Sequence, residues 1–290
     1  MPDVRDRTWP LVAFTVAVQA AAGLALGAVC IDMLADGAVV NARFPVGIMV
    51  LGLAAAGGAS SLFHLGRKPR AWRTLVNLRR SPLSREVLAT LLFTGAAAAS
   101  VVVWLAEGVS ARLAWDGTTA VLGLAAVAAA IPVYMVPARP VWNSWWVTAS
   151  FFGTMLLLGG SAASALLIGR GGQSIVDAML GAATVGAALQ ALSAGAMAGR
   201  FSREWTRAST EGLEGPAMGW TPSRRLWLGC QIVLAGAAPI ALAAAWWTMR
   251  AGGAPEWGPA LAVAIVVSAL AGIVQGRRLM FDLGASMPRF

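Results

Sequence analysis

Histidine and tyrosine each occur once in this 290-residue chain, at His64 and Tyr134, and cysteine occurs twice, at Cys30 and Cys230. A single histidine excludes a haem held between two axial histidines, and two cysteines far apart in sequence cannot supply an iron-sulfur cluster. A histidine-methionine haem is a weak alternative among eleven methionines. Both cysteines fall inside apolar runs, where a thiol behaves as a small hydrophobe, so neither a disulfide nor a metal site is expected. The sequence also lacks a P-loop and any nucleophile motif, and no apolar stretch carries the Asp, Glu or Lys series of a proton pump. Charge is scarce too. With 12% charged and 58% hydrophobic residues, the composition excludes an ordinary soluble domain, in which about a quarter of residues are charged.

What remains is lipid-facing chemistry. A helix needs about 20 apolar residues to cross a bilayer while satisfying its own backbone hydrogen bonds. Eight stretches qualify, at residues 10–34, 44–64, 86–107, 118–136, 144–168, 175–199, 226–249 and 258–280. The expected fold is an all-α integral membrane protein, a single bundle of eight transmembrane helices with short loops and an interfacial segment after the second helix. The start has two acids among its two arginines and no secretory pattern, so the first span is expected to remain as a helix. Gly23-x-x-x-Gly27 and Gly195-x-x-x-Gly199 offer small faces for helix packing. Trp9, Trp115, Trp142, Trp145, Trp227 and Trp257 fall at span ends, as interfacial anchors do. Gln19, Gln190, Gln275 and Asp177 are polar within or near spans and are expected to join helices rather than bind a ligand.

The cations are distributed unevenly. Of 22 Lys and Arg residues, eighteen fall in the N-terminus, the even-numbered loops and the C-terminus, and four in the odd-numbered loops. The positive-inside rule places the first group in the cytoplasm. A surface that docks an acidic partner accumulates arginine as well, so the same asymmetry has two readings. The net charge of +9, spread over loops beside spans, points to lipid headgroups or an acidic partner rather than to nucleic acid. A short echo links Arg70-Ala-Trp72-Arg73 after the second span with Arg203-Glu-Trp205-Thr-Arg207 after the sixth. It would fit a four-plus-four repeat, or chance.

Candidate chemistry gathers where the second span ends. His64 sits at that edge, and imidazole exchanges protons near neutral pH; the bland alternative is a side chain that favours a helix C-terminus. The arginine-rich stretch after it, with Trp72, Leu75 and Val76, reads as a short amphipathic helix at the interface. Ser84-Arg85-Glu86 reads as a helix start, with Glu86 either a chemical group or simply a carboxylate on the positive end of the helix dipole. The fourth loop brings Tyr134, Arg139, Trp142 and Asn143 to the same side as His64, stiffened by Pro137 and Pro140.

These residues resemble a known family. Trp9-Pro-Leu-Val-Ala-Phe-Thr-Val-Ala-Val-Gln19, Leu62-Phe-His64-Leu-Gly66 with the downstream Arg70-Ala71, Asn77 and Leu83-Ser84-x-Glu86, the Tyr134 to Asn143 loop, and an eighth span ending in Gly276-Arg277 are similar to the membrane anchor subunits of bacterial dimethyl sulfoxide reductases, the DmsC family. The resemblance runs over essentially the whole chain. It implies an eight-helix subunit in the bacterial inner membrane that anchors a molybdopterin catalytic subunit and a four-cluster iron-sulfur subunit. This chain itself would hold neither haem nor cluster. Menaquinol or menaquinone would be its exchangeable cofactor, with His64 and Glu86 at the quinol site and its proton route. Arg67, Arg73, Tyr134, Arg139, Trp142 and Asn143 would face the quinone or the iron-sulfur partner. The family's usual arrangement puts the amino terminus outside, against the charge count. Alternatives are a quinone-reducing anchor of an oxidising molybdoenzyme of the sulfite dehydrogenase type, and a non-redox structural anchor or transporter.

Overall fold

A computed structural model describes residues 8–34, 43–64, 68–106, 112–168, 170, 172–212, 219–253 and 257–286. Eight helices in it are long and apolar enough to cross a membrane. They are α1 (Trp9–Leu34), α2 (Arg43–Ser61), α3 (Pro82–Ala106), α4 (Arg112–Tyr134), α5 (Trp146–Leu167), α6 (Gln173–Thr210), α7 (Pro222–Ala251) and α8 (Gly258–Ser286). The expected all-α membrane bundle is therefore observed, with short 3-10 segments at Leu62–His64 and Lys68–Leu75 after the second helix.

Helix α1 is the centre of the bundle, contacting α2, α4 and α5. Glycine makes its closest approach possible: a Cβ at Gly23 would lie 2.8 Å from the Gly159 Cα on α5, and one at Gly27 would lie 3.0 Å from the Ala163 Cβ. Lipid supplies no hydrophobic drive between helices, so small residues that bring backbones together do the packing. The second glycine pair behaves differently from expectation. Gly195 and Gly199 have nothing within 4 Å, because α6 packs on α5 through Gly186 and the Gly153 and Gly160 of its neighbour instead.

Inside the bundle, polar side chains join helices. The buried Arg277 of α8 donates to Gln19 Oε1 on α1 (2.9 Å) and to Thr154 Oγ1 on α5 (3.3 Å), and its guanidinium lies 4.2 Å from the Phe151 ring centroid. Gln190 of α6 donates to Thr154 Oγ1 and to the Ser150 carbonyl, both at 2.8 Å. Gln19 and Gln190 thus act as the expected helix joints, and Asp177 pairs with Arg250 and accepts from Trp246 Nε1 at 3.2 Å. At the end of the bundle formed by the C-terminus of α1 and the N-terminus of α2, Arg43 contacts Asp32 at 2.6 Å and also pairs with Asp116, which accepts from Ser100. Hydropathy alone puts Arg43 and Asp116 outside the spans; mutual neutralisation lets them sit within the helix ends.

Helix α7 is interrupted by a π turn at Val233–Ala237. Pro239 follows it, and proline offers no N–H to the carbonyl one turn back and clashes with it, a conflict that a widened turn relieves. The widened turn presses on α8, where a Cβ at Gly272 would lie 2.8 Å from the Ala235 Cβ. The sequence echo finds no structural counterpart: Trp72 lies in a 3-10 segment, whereas Trp205 lies within α6.

Candidate functional site

The start of α3 differs from the sequence reading, and the difference defines the site. Ser81, not Ser84, caps the helix: its Oγ accepts the Ser84 backbone N–H at 3.2 Å, and Pro82 takes the first helical position. Serine followed by proline suits this role, since proline lacks the N–H that would be orphaned there and has its φ preset. Glu86 is therefore carried into the second turn, where it is 3% exposed and its Oε1 has no hydrogen-bond partner among the described residues. It is a buried acid rather than a helix-end carboxylate.

Glu86 lines a cavity of about 820 Å³ enclosed by the ends of α1 to α4, the 3-10 segment, the loop after α4, and α8. Pockets for small ligands range over roughly 300–1,000 Å³ and are apolar with a few placed polar groups. Small residues of α2, Ala54, Ala55, Gly58 and Ala59, leave the space open. Leu83 and Leu91, exposed on a membrane-spanning helix, also line it and give it a lipid-facing side.

A cluster of aromatic rings lines the same cavity. Tyr134, Trp142 and Phe281 all line the cavity, with ring centroids 5.9 Å apart for Tyr134 and Trp142, 5.8 Å for Tyr134 and Phe281, and 6.0 Å for Trp142 and Phe281. The loop that presents Trp142 is drawn tight by backbone bonds from Arg139 to Val136 (3.0 Å) and from Trp142 to Arg139 (2.9 Å). Trp142 is more than an interfacial anchor: its Nε1 donates to the Met280 carbonyl at 2.8 Å. Arg139 donates to the Gly284 carbonyl, and its guanidinium lies 5.8 Å from the Trp142 ring centroid. The loop is thereby fastened to α8 and its indole held in place.

Glu86, Tyr134, Arg139 and Trp142 are thus brought together around one cavity. His64 ends the 3-10 turn Leu62–His64, whose first residue also lines the cavity; the His64 side chain and all of Arg67 lie outside the described residues. Arg73 and Asn143 are exposed and do not line the cavity. Trp72, 66% exposed, lies at its rim, and Arg85 ties the intervening loop by donating to the Leu78 and Arg79 carbonyls, both at 3.1 Å. Phe281 and Thr90 are wall residues that the sequence reading missed. Thr90 was accessible to it, since a residue four beyond Glu86 shares its helix face; Phe281, from the last helix, had no local signal.

Buried acid, clustered rings and a lipid-facing side together define a class: a multi-pass helical membrane protein with an apolar cavity that carries one buried carboxyl. More specifically, the chain belongs to the DMSO reductase anchor subunit (DmsC) family, whose profile matches residues 6–197. It is 30% identical over 173 residues to the C subunit of the anaerobic dimethyl sulfoxide reductase of Escherichia coli (strain K12), covering 57% of this sequence and 58% of that protein. It is 32% identical over 164 residues to the C subunit of the anaerobic dimethyl sulfoxide reductase of Haemophilus influenzae, covering 55% and 58%. To the YnfH subunit of anaerobic dimethyl sulfoxide reductase from Escherichia coli it is 30% identical over 166 residues, covering 55% and 57%. Each match spans under three-fifths of the relative's length, and the family match ends within α6.

Proposed function

We propose that this chain is the quinol-reactive membrane anchor of a molybdopterin oxidoreductase complex, oxidising menaquinol and passing electrons to an iron-sulfur subunit for reduction of a substrate such as dimethyl sulfoxide. The observation that carries the reading is the cavity of about 820 Å³, which is lined by Glu86, whose Oε1 is unpaired among the described residues, and by an aromatic cluster, beside the turn that ends at His64. Its rings and small-residue floor suit a flat headgroup, and its lipid-facing side suits an apolar tail. The relatives' shared name, anaerobic dimethyl sulfoxide reductase, supports the substrate class.

Oxidising a quinol releases two protons and two electrons. Glu86 accepts a proton from a ring hydroxyl, and His64, at the membrane edge, passes protons to water. The single histidine and two dispersed cysteines exclude a bis-histidine haem and a cluster held by this chain, and in this reading the electrons go to the docked partner. The exposed Arg73 and Asn143 lie on the partner-facing surface. From the positive-inside rule we place this arginine-rich side and both termini in the cytoplasm of a bacterial cell, with the spans in its inner membrane.

The test uses the assembled complex in membranes. Glu86→Gln, which keeps the shape and removes the proton acceptor, and His64→Ala should each abolish menaquinol-dependent turnover while leaving assembly and artificial-donor activity intact. Menaquinol kinetics unchanged in both variants would sink the assignment.

A further inference from the structure

Most polar side chains around the cavity have assigned partners. Ser61 Oγ donates to the Gly58 carbonyl at 2.7 Å, Thr94 Oγ1 to the Thr90 carbonyl at 2.9 Å, and Trp142 Nε1 to the Met280 carbonyl at 2.8 Å. Glu86 and Thr90 are exceptions, and the second is a hydroxyl. Thr90 is 6% exposed, it lines the cavity, and its Oγ1 has no hydrogen-bond partner among the described residues.

That state is unusual within this bundle. Thr15, Thr94, Thr119, Thr154 and Thr184 each return the hydroxyl to the carbonyl one turn back, at 2.8 to 2.9 Å. The habit has a cause: in lipid the helix's own carbonyl is the nearest acceptor, and a hydroxyl left unpaired there is costly. Thr90 forgoes the bond, one helical turn from Glu86, whose Oε1 is also unpaired. Two buried polar atoms of opposite capability, a hydroxyl that donates and a carboxylate that accepts, stand on one face of α3 in residues that line one cavity.

We propose that Thr90 and Glu86 form a two-point grip on a single ring oxygen of the bound quinone, an inference that rests on the quinone reading above. Glu86 accepts a hydrogen bond from that oxygen when it is a hydroxyl, and Thr90 donates to it when it is a carbonyl. The same pair thus recognises both redox states. Arg139 and Trp142 also line the cavity, and they donate to carbonyls of α8.

The experiment is binding of menadione, carbon-13-labelled at its carbonyls, to the full chain in lipid nanodiscs, read by affinity and by the infrared carbonyl stretch. Wild type should show one carbonyl band lowered in frequency. Thr90→Val, nearly isosteric, should return that band toward its unbound position and weaken binding about fivefold to tenfold, as losing one hydrogen bond implies. Thr90→Ser should behave as wild type. Thr90→Ala, which adds no bulk, should repeat the valine result if the valine chain fails to fold. An unmoved band and affinity in Thr90→Val or Thr90→Ala, with Glu86→Gln still weakening binding, overturns the Thr90 assignment alone. Menadione that does not bind wild type overturns the quinone reading and this inference with it.

Discussion

Two neighbouring glycines on α2 separate occupancy of the cavity from stability of the fold. A Cβ at Gly57 would lie 2.9 Å from Val18 Cγ2 and 3.2 Å from the Ala17 Cβ, whereas one at Gly58 would meet nothing within 4 Å and would project from the cavity wall. Gly58→Leu therefore fills ligand space without touching the packing. Replacing glycine inside a helix should stabilise it by about 0.5–1 kcal/mol, so the melting temperature should not fall. A quinol that must push against the new side chain should suffer an overpacking cost of about 1–3 kcal/mol, which at about 1.4 kcal/mol per decade raises its Kd roughly fivefold to a hundredfold. Gly57→Leu puts the same cost on the α1–α2 interface and should lower stability instead. Quinol-dependent turnover against substrate concentration, beside a thermal melt of the detergent-solubilised complex, reads both effects. Unchanged quinol KM in Gly58→Leu with the complex intact would refute the view that this cavity holds the quinol.

Two further tests address the remainder of the chain. Arg43→Met leaves Asp32 and Asp116 without their shared cation, in side chains 10% and 7% exposed; breaking such a buried pair should cost about 3–5 kcal/mol. The melt should recover when Asp32→Asn and Asp116→Asn are added, and failure to recover would show that the arginine acts through packing rather than charge. For orientation, a reporter active only outside the cytoplasm, fused after Phe290, should stay silent; strong activity would mean that the arginines serve docking and not topology.

The spans were legible because a bilayer imposes length and hydropathy directly on the sequence. Helix ends were less so. Ser84-Arg85-Glu86 offers the residues of a cap, yet Ser81-Pro82 takes the position, and that shift moves Glu86 from a helix terminus to a buried wall. The Asp32, Arg43 and Asp116 cluster went unread for a related reason: a hydropathy window treats each charge as a boundary, and only three-dimensional pairing makes them compatible with helix ends. The two glycine motifs look alike in sequence, but Gly23 meets α5 whereas Gly195 and Gly199 meet nothing within 4 Å. Small residues state that close approach is possible, and the partner helix decides whether it happens.

The family match stops at residue 197, yet the cavity cannot be completed without the last helix. Phe281 forms part of its wall, the Met280 carbonyl holds the Trp142 indole, and the Gly284 carbonyl holds Arg139. A Cβ at Gly284 would fall on the Trp142 ring, so that approach depends on the absence of a side chain. Deeper in the bundle, Arg277 fastens the same helix to α1 and α5. The acid lies within the matched region, while much of what positions the rings of the cavity lies beyond it. Divergence in α8 is therefore a route to changing the shape of the cavity while Glu86 and the turn ending at His64 stay as they are.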